Sequence, residues 1–180
     1  MLELSRLQSG TASLSRSVFA PLPLFNLIHE TYSAYAEDYQ QTFVYDVPED
    51  LPSVWGNPDR TQQVLIVLLD NAFKYTPEGG VVTLSACAEG DVVRVRVRDT
   101  GVGIPAADLP HVFDRFYKVD KSHHSKGTGL GLAIAYEIMK HLGEEMSVTS
   151  EPGQGSCFTF TLHIAQGSAE KTAEPPKAPA

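Results

Sequence analysis

The chain has 180 residues, of which 42% are hydrophobic, and this length suits one compact domain with short tails. The longest apolar run, Val64 to Leu69, is far shorter than the roughly 20 residues that cross a bilayer, and the N-terminus lacks a signal-peptide pattern. A net charge of −8 argues against nucleic acid as a partner. Two cysteines, Cys87 and Cys157, are too few for a disulfide scaffold, so we expect a soluble protein of the reducing cytoplasm.

The N-terminal half predicts two long helices with a strand between them. Residues 1–10 have helical leucine spacing but are too short for a stable helix, so they are expected to end a longer one. Apolar residues at spacings of three and four predict an amphipathic helix from Pro21 to about Asp38, and Thr42 to Val47 alternates like a strand. Asn57 before a proline is a typical helix start, which predicts a helix from Pro58 to Tyr75.

The middle of the chain predicts a hairpin followed by a long loop. Val81 to Ala86 and Val92 to Arg98 alternate with period two across a short turn, which indicates an antiparallel pair. Residues 105–126 mix proline, charged and small polar side chains. We expect this loop to be mobile, with one short helix from Ala106 to Phe113.

The C-terminal part predicts one more helix and a second pair of strands. Gly131 to Leu142 has helical apolar spacing and stops before a glycine. Met146 to Ser150 and Ser156 to Ile164 are expected to be strands on either side of a turn. Residues 166–180 have no apolar pattern, which predicts a disordered tail.

A first polar cluster stands at the end of the helix that begins at Pro58. Asn71 offers an amide oxygen of the kind that Mg²⁺ accepts, and Lys74, one turn later on the same face, can reach phosphate oxygens. Alone, the cluster is better interpreted as a solvated polar face at a helix end.

A second polar cluster follows the strand that ends at Arg98. Asp99 can accept a hydrogen bond from an exocyclic amine, and the glycines in Asp99 to Ile104 let the backbone approach a flat base. Asp-Thr-Gly also opens aspartic-protease sites, which need two paired carboxylates, whereas this chain has one copy. A plain turn from strand to loop is the alternative.

A third cluster, Gly127 to Leu132, runs into the helix that begins at Gly131. Successive glycines before a helix expose backbone N–H groups to an anion, and the helix dipole adds to the attraction. The pattern is neither a Walker loop nor the dinucleotide-binding glycine motif. A flexible hinge is the alternative.

Together the clusters supply a partner for adenine, a metal ligand and a phosphate site. In this order they resemble the GHKL ATP-binding superfamily and, within it, the catalytic (HATPase_c) domain of sensor histidine kinases, across Leu4 to Ile164. The matching segments are the asparagine box Asn71 to Tyr75, the first glycine box Asp99 to Gly103, the phenylalanine box Phe113 to Tyr117, the second glycine box Gly127 to Gly131, and the closing strand motif Gly153 to Phe160.

The resemblance implies a two-layer α/β sandwich of the Bergerat type. Its sheet is mixed, mostly antiparallel and five-stranded, with three helices on one face and ATP between two helices beneath a flexible lid, residues 105–126. Residues 11–165 would form this domain, and residues 1–10 are similar to the end of the dimerisation hairpin of such kinases.

The resemblance also implies roles for single residues. Asn71 would hold Mg²⁺, Lys74 would contact phosphate, and Asp99 would recognise the adenine amine. Arg115 would assist the γ-phosphate, which makes Asn71, Lys74 and Arg115 the catalytic set. Further implied ATP-binding residues are Tyr75, Gly101, Gly103, Ile104, Gly127, Thr128, Gly129, Leu130, Gly131 and Thr159.

The chain departs from the family pattern at Val67. Kinases of this family usually have a second asparagine there, and the superfamily's hydrolytic ATPases have a glutamate general base, so valine argues against water hydrolysis. We expect weakened phosphotransfer, and an ATP-binding regulatory module is the alternative function. A serine-kinase anti-sigma factor of the same superfamily is a third, disfavoured by residues 1–10 and by the complete phenylalanine box.

None of the six histidines matches the phosphate-accepting motif of histidine kinases. His29 comes nearest but lies on a helix of the domain itself, and His123 and His124 lie in the lid. We therefore expect phosphate transfer to a hairpin outside this chain, then relay to a response regulator, and no autophosphorylation by this chain alone. A monomer without membrane contact is expected.

Overall fold

The computed structural model of the protein describes Leu2, Ser5, Arg6 and residues 14–118 and 129–166. Leu2, Ser5 and Arg6 are helical. The predicted hairpin remnant at residues 1–10 lies mostly outside the described residues, as do the end of the lid and the tail from residue 167.

Between residues 14 and 166, the described segments form three α-helices, seven strands and one 3₁₀ helix. None of these helices is long and apolar enough to span a membrane. In chain order the elements are β1 (Ser17–Phe19), α1 (Pro21–Asp38), β2 (Thr42–Asp46), β3 (Val54–Gly56), α2 (Pro58–Tyr75), β4 (Val81–Glu89), β5 (Val92–Asp99), the 3₁₀ helix (Leu109–His111), α3 (Gly131–His141), β6 (Met146–Glu151) and β7 (Gly155–His163).

The main sheet has five strands in the order β2-β4-β5-β7-β6. Only β2 and β4 pair in parallel; the other neighbours are antiparallel. The three helices pack on one face of this sheet and share a single hydrophobic core with it. The predicted two-layer α/β sandwich with a mixed sheet is confirmed.

Strand β5 shows how the sequence separates the two faces of the sheet. Successive side chains of a strand point to opposite faces. Val93, Val95 and Val97 are fully buried towards the helices, while the three arginines between and after them point to the other side. The sheet therefore has a covered apolar face and an open polar face.

Helix α2 forms where its capping residue predicted. The Asn57 side chain accepts a hydrogen bond from the Arg60 N–H at 3.0 Å, which satisfies one of the free donors of the first turn. Leu65, Leu68 and Leu69 are fully buried against the sheet. Burial of this apolar face places the C-terminal end of α2, with Asn71 and Lys74, beside the loop that follows β5.

A second, two-stranded sheet was not predicted from the sequence. Strand β1 pairs antiparallel with β3, and Val54 of β3 forms a bridge to Ile164 just after β7. Ala165 also donates its N–H to the Ser53 carbonyl at 2.9 Å. The first strand and the last residues of the domain are thereby joined through β3.

The short helical piece predicted near Ala106 to Phe113 is confirmed in part. Only Leu109–His111 is helical there, as a single 3₁₀ turn. Pro110 explains the difference, because it has no N–H to donate to Ala106 and its ring would clash with that carbonyl in an α-helix. The tighter 3₁₀ turn accommodates it as a short connector.

Candidate functional site

Asp99 is the last residue of β5 and is only 4% exposed. Its Oδ1 accepts two backbone hydrogen bonds, from Gly101 at 2.9 Å and from Ser156 at 3.3 Å. Burial raises the pKa of this carboxyl above its ordinary range, and the two backbone donors oppose that rise. The hydrogen bonds within the described residues use Oδ1, so Oδ2 remains available to accept a bond from a ligand.

The glycines after Asp99 allow very close backbone packing. A Cβ added at Gly101 would lie 2.4 Å from the Tyr75 carbonyl oxygen. At Gly103, which has a φ of +72°, a Cβ would lie 2.1 Å from the carbonyl oxygen of Glu151. No side chain fits at either position, so glycine lets the loop after β5 lie directly on α2 and on the end of β6.

The loop after β5 is bonded to the C-terminal end of α2. Val102 donates its N–H to the Tyr75 carbonyl at 3.3 Å. Tyr75 is half-buried, and the Lys74 ammonium lies 5.2 Å from the centroid of its ring. Asn71 is half-buried one turn earlier. The first two polar clusters of the sequence therefore form one site.

Gln41 holds the same end of α2 from the other side. Its Nε2 donates to the carbonyl oxygens of Phe73 and Thr76, at 3.0 and 2.5 Å. These are carbonyls that the end of a helix leaves without an intrahelical partner. A side chain outside the site thus fixes the helix end that carries Asn71 and Lys74.

Gly131, the first residue of α3, packs against Val67 of α2. A Cβ at Gly131 would lie 3.4 Å from Val67 Cγ1. The preceding residue, Leu130, has no side chain that caps the helix, so the first N–H groups of α3 are available to an anion. Since Val67 stands one turn before Asn71, the start of α3 lies beside the same stretch of α2.

The phenylalanine box anchors the described part of the lid. The Phe113 ring stacks on Tyr136 of α3 at 4.8 Å and meets Phe158 of β7 edge-on at 6.1 Å. Phe116 donates its N–H to the Gly129 carbonyl at 3.0 Å. Arg115 is exposed between these two anchors.

Two serines complete the site, and sequence reasoning gave them no role. Besides the Ser156 N–H on Asp99, the Ser150 hydroxyl accepts the Ile104 N–H at 2.7 Å and lies 2.9 Å from the Ser156 hydroxyl. Both serines stand where β6 and β7 meet the loop after β5. The sequence signal that could have identified Ser156 is its position directly after Gly155 in the closing strand motif.

A sequence profile of the family described as histidine kinase-, DNA gyrase B- and HSP90-like ATPase matches residues 56–166. The chain belongs to this ATPase family. The match includes both ends of the site just described, from the start of α2 to the end of β7.

Curated relatives with similar sequences are sensory kinases. The chain is 45% identical over 129 residues to the adaptive-response sensory kinase SasA of Thermosynechococcus vestitus, covering 71% of this chain and 34% of that protein. It is 37% identical over 167 residues to the sensor histidine kinase RcsC of Escherichia coli K12, covering 91% of this chain and 18% of that one. The chain therefore spans about a third or less of these relatives.

Solved structures of histidine kinases have the same fold. Full-length ShkA, crystallised in complex with AMPPNP, superimposes with a TM-score of 0.80 at 31% identity, covering 92% of this chain and 35% of that one. The catalytic domain of ThkA gives 0.74 at 24% identity, covering 84% and 97%. The second likeness supports the fold alone.

Most of the site residues that the resemblance implied are brought together. Thr159 is not: it points to the open face of the sheet, since Phe158 and Phe160 on either side of it are buried towards the helices. Gly127 and Thr128 lie outside the described residues. The residues that contact one another directly or through α2 are Asn71, Lys74, Tyr75, Asp99, Gly101, Gly103, Ile104 and Gly131.

Residues with the chemistry of metal ligands do not cluster in the described part of this ATPase domain. No group of three or more His, Cys, Asp or Glu side chains there could hold a metal ion. Asp70, next to Asn71, accepts a hydrogen bond from the Tyr32 hydroxyl at 2.6 Å. His29 stacks on the Tyr45 ring at 4.2 Å. A cation at this site would need ligands from a bound molecule in addition to the Asn71 amide.

Replacing Gly103 with alanine should destabilise the domain strongly. The new Cβ would lie 2.1 Å from the carbonyl oxygen of Glu151, so the loop after β5 must move away from the end of β6. Gly90→Ala is the matched control, since Gly90 also has a positive φ but nothing within 4 Å of an added Cβ. We expect Gly103→Ala to lose about 1–3 kcal/mol more unfolding free energy than the control. Equal losses in urea denaturation would contradict this packing account.

Replacing Asp99 with asparagine should stabilise the domain at neutral pH. Because burial raises the carboxyl pKa, the folded protein binds the Asp99 proton more tightly than the unfolded chain does. The unfolding free energy therefore falls as pH rises from the ordinary carboxyl pKa of 3.8 through the raised value. Asn cannot ionise, so its advantage should be full at about pH 7 and shrink on acidification.

Urea unfolding of both proteins across this pH range measures the effect of Asp99→Asn. The control is Asp91→Asn, which removes an exposed carboxylate at the opposite end of the hairpin and should keep the wild-type pH dependence. If Asp99→Asn were less stable than wild type at neutral pH, the cost of burying the Asp99 charge would not dominate the contribution of this residue to the unfolding free energy.

Proposed function

We propose that this domain binds ATP together with Mg²⁺ and transfers the γ-phosphate to a histidine on a dimerisation hairpin, as the catalytic domain of a two-component sensor histidine kinase. The observation that carries the proposal is Asp99: a buried carboxylate with one oxygen held by two backbone donors and the other directed to no described residue. An adenine amine is the kind of donor that would satisfy it.

The base would lie beside the loop after β5. Asp99 Oδ2 would accept the exocyclic amine, and the absence of side chains at Gly101 and Gly103 leaves the backbone flat there. Tyr75 and Ile104, which is 9% exposed, would flank the base with apolar surface. A base without a hydrogen-bond donor at that position would leave the buried carboxylate unpaired, which costs about 1–3 kcal/mol.

The phosphates would lie at the start of α3. The uncapped N–H groups after Leu130 and the positive end of the helix dipole attract anions, and Lys74 stands at the end of the neighbouring helix. The Asn71 amide oxygen would be the protein's ligand to Mg²⁺, with phosphate and water oxygens as the others. Bound Mg²⁺ would offset the phosphate charge in phosphoryl transfer.

Transfer to a protein side chain suits this site better than hydrolysis of ATP. A hydrolytic site needs a base that activates water. Val67 cannot do so one turn before Asn71, and the Asp70 carboxylate is engaged by Tyr32 of α1. Without such a base, catalysis depends on positioning and electrostatics, with Arg115 available from the lid to assist the γ-phosphate.

A second candidate function is an ATP-binding regulatory module with weak or no transfer. Val67 favours it, because the residue puts methyl groups against Gly131 where a second polar ligand would stand. In this case ATP would switch docking to the hairpin without chemistry. In either case the partners would be the hairpin and, through it, a response regulator of the cytoplasm, with the domain itself monomeric and unable to phosphorylate itself.

Calorimetric titration with a non-hydrolysable ATP analogue tests nucleotide binding. We expect saturable binding that tightens with Mg²⁺, a loss of at least about tenfold in affinity for Asp99→Asn, and loss of the Mg²⁺ effect for Asn71→Ala. Asp91→Asn is the charge-matched control and should bind like wild type. Absence of binding by the folded wild-type protein would overturn the nucleotide proposal.

Val67→Asn separates the two candidate functions. If transfer is the function and Val67 weakens it, the variant should tighten Mg-ATP binding and speed phosphorylation of a separately added histidine hairpin. Val67→Ala is the control, because it removes the methyl groups without adding an amide. If neither the wild type nor Val67→Asn phosphorylates the hairpin, the regulatory module is favoured. If Val67→Asn leaves both the Mg-ATP affinity and the rate of phosphate transfer unchanged, Val67 does not weaken the transfer.

A further inference from the structure

The open face of the main sheet carries a row of three arginines. Arg94, Arg96 and Arg98 occupy alternate positions of β5, the central strand, and point away from the helices. In an antiparallel strand, alternate residues are about 6.8 Å apart. We call this row the arginine stripe.

Hydroxyl side chains flank the arginine stripe. Arg96 pairs with Ser85 on one side and with Thr159 on the other, and Thr159 pairs in turn with Ser147. Arg98 lies between Thr83 and Cys157. The described residues of this face include no Phe, Tyr or Trp. Apart from the exposed His163 at the end of β7, the described strands thus present a polar surface without aromatic side chains at this face.

Carboxylates on this face lie at its margins and beside Arg94, where the buried Glu144 accepts the hydroxyl of Thr161, the cross-strand partner of Arg94, at 2.6 Å. Glu89, at the end of β4, accepts the Arg94 Nε at 2.5 Å and the Arg96 Nη2 at 2.8 Å. Asp46 and Glu151 lie on the two edge strands, two strand spacings or about 9.5 Å from β5. At that distance salt screens most of their attraction, so the middle of the face, around the exposed Arg98, remains basic.

This basic stripe contrasts with a chain whose net charge is −8. All three described α-helices pack on the other face of the sheet, and the candidate nucleotide site lies on that covered side, since Asp99 is buried there. The arginine stripe therefore contributes nothing to the site described above, and none of the described helices covers it.

We propose that the arginine stripe docks an extended, carboxylate-rich segment of a partner protein. Acidic residues at alternate positions of an extended segment have the same spacing of about 6.8 Å as the arginines. Arg and carboxylate pair through two parallel hydrogen bonds, and the flanking hydroxyls can bond the segment's backbone. A single-stranded nucleic acid is less well matched, because such ligands stack on aromatic side chains, and the described strands carry no Phe, Tyr or Trp on this face.

Docking at the arginine stripe is testable without nucleotide. The probe is a fluorescein-labelled peptide of alternating glutamate and serine, titrated by fluorescence anisotropy at low salt. We expect saturable binding that weakens with added salt, and a loss of at least about tenfold for Arg98→Glu. Arg60→Glu makes the same change in charge at the start of α2 and should bind like wild type, and Arg98→Lys should be intermediate. Urea unfolding checks that each variant is folded.

Four results would overturn the proposal. They are no saturable binding by wild type, equal losses for Arg98→Glu and Arg60→Glu, tighter binding of an oligothymidylate of the same charge, or binding that appears only when the chain ends after Gln166. The last result would make the chain's own tail the occupant. Because no nucleotide is used, these outcomes are independent of whether the ATP proposal holds.

Discussion

One carboxylate oxygen, Oδ1 of Asp99, determines the shape of the site, because it accepts N–H groups from two separate segments. Gly101 belongs to the loop after β5 and Ser156 to the start of β7, so a single acceptor fixes both relative to the sheet. The second oxygen is left to recognise a ligand. Burial disfavours the charged form of Asp99 and therefore raises the pKa of its carboxyl. The domain thus retains an unfavourable buried group where recognition needs one.

Helix α2 connects the other parts of the site. Its end meets the loop after β5 through the Tyr75 carbonyl, and its middle meets α3 through Val67 and Gly131. Both contacts need a glycine, so the backbones approach more closely than side chains would allow. The same packing places the departure from the family pattern, Val67, between Asn71, the proposed Mg²⁺ ligand, and the start of α3, the proposed phosphate site. Its effect on chemistry would therefore be local.

Sequence patterns predicted the elements that bury a full apolar face, such as α2 with its Asn57 cap and the β4–β5 hairpin. They missed β1 and β3, because a strand of three residues is too short to show the alternation of apolar and polar side chains. The two strands also lie far apart in the chain, so no turn between them signals their pairing. The short helical piece predicted near Ala106 to Phe113 is only a 3₁₀ turn because Pro110 cannot donate an α-helical hydrogen bond. Motif resemblance assigned Asp99 and Asn71 to the candidate site, but it also assigned Thr159 without regard to the alternation that turns this side chain away. Ser150 and Ser156 contact Asp99 or its loop only through tertiary folding.

The pairing of β1 with β3, and of β3 with the residues after β7, has a mechanical consequence. Entry to the domain and exit from it lie two strand spacings apart, about 10 Å, at one corner of the molecule. Tension between the start of β1 and the residues after β7 would therefore act first on the β1–β3 pairing and on the bridge between Val54 and Ile164, and not on the five-stranded sheet that carries Asp99.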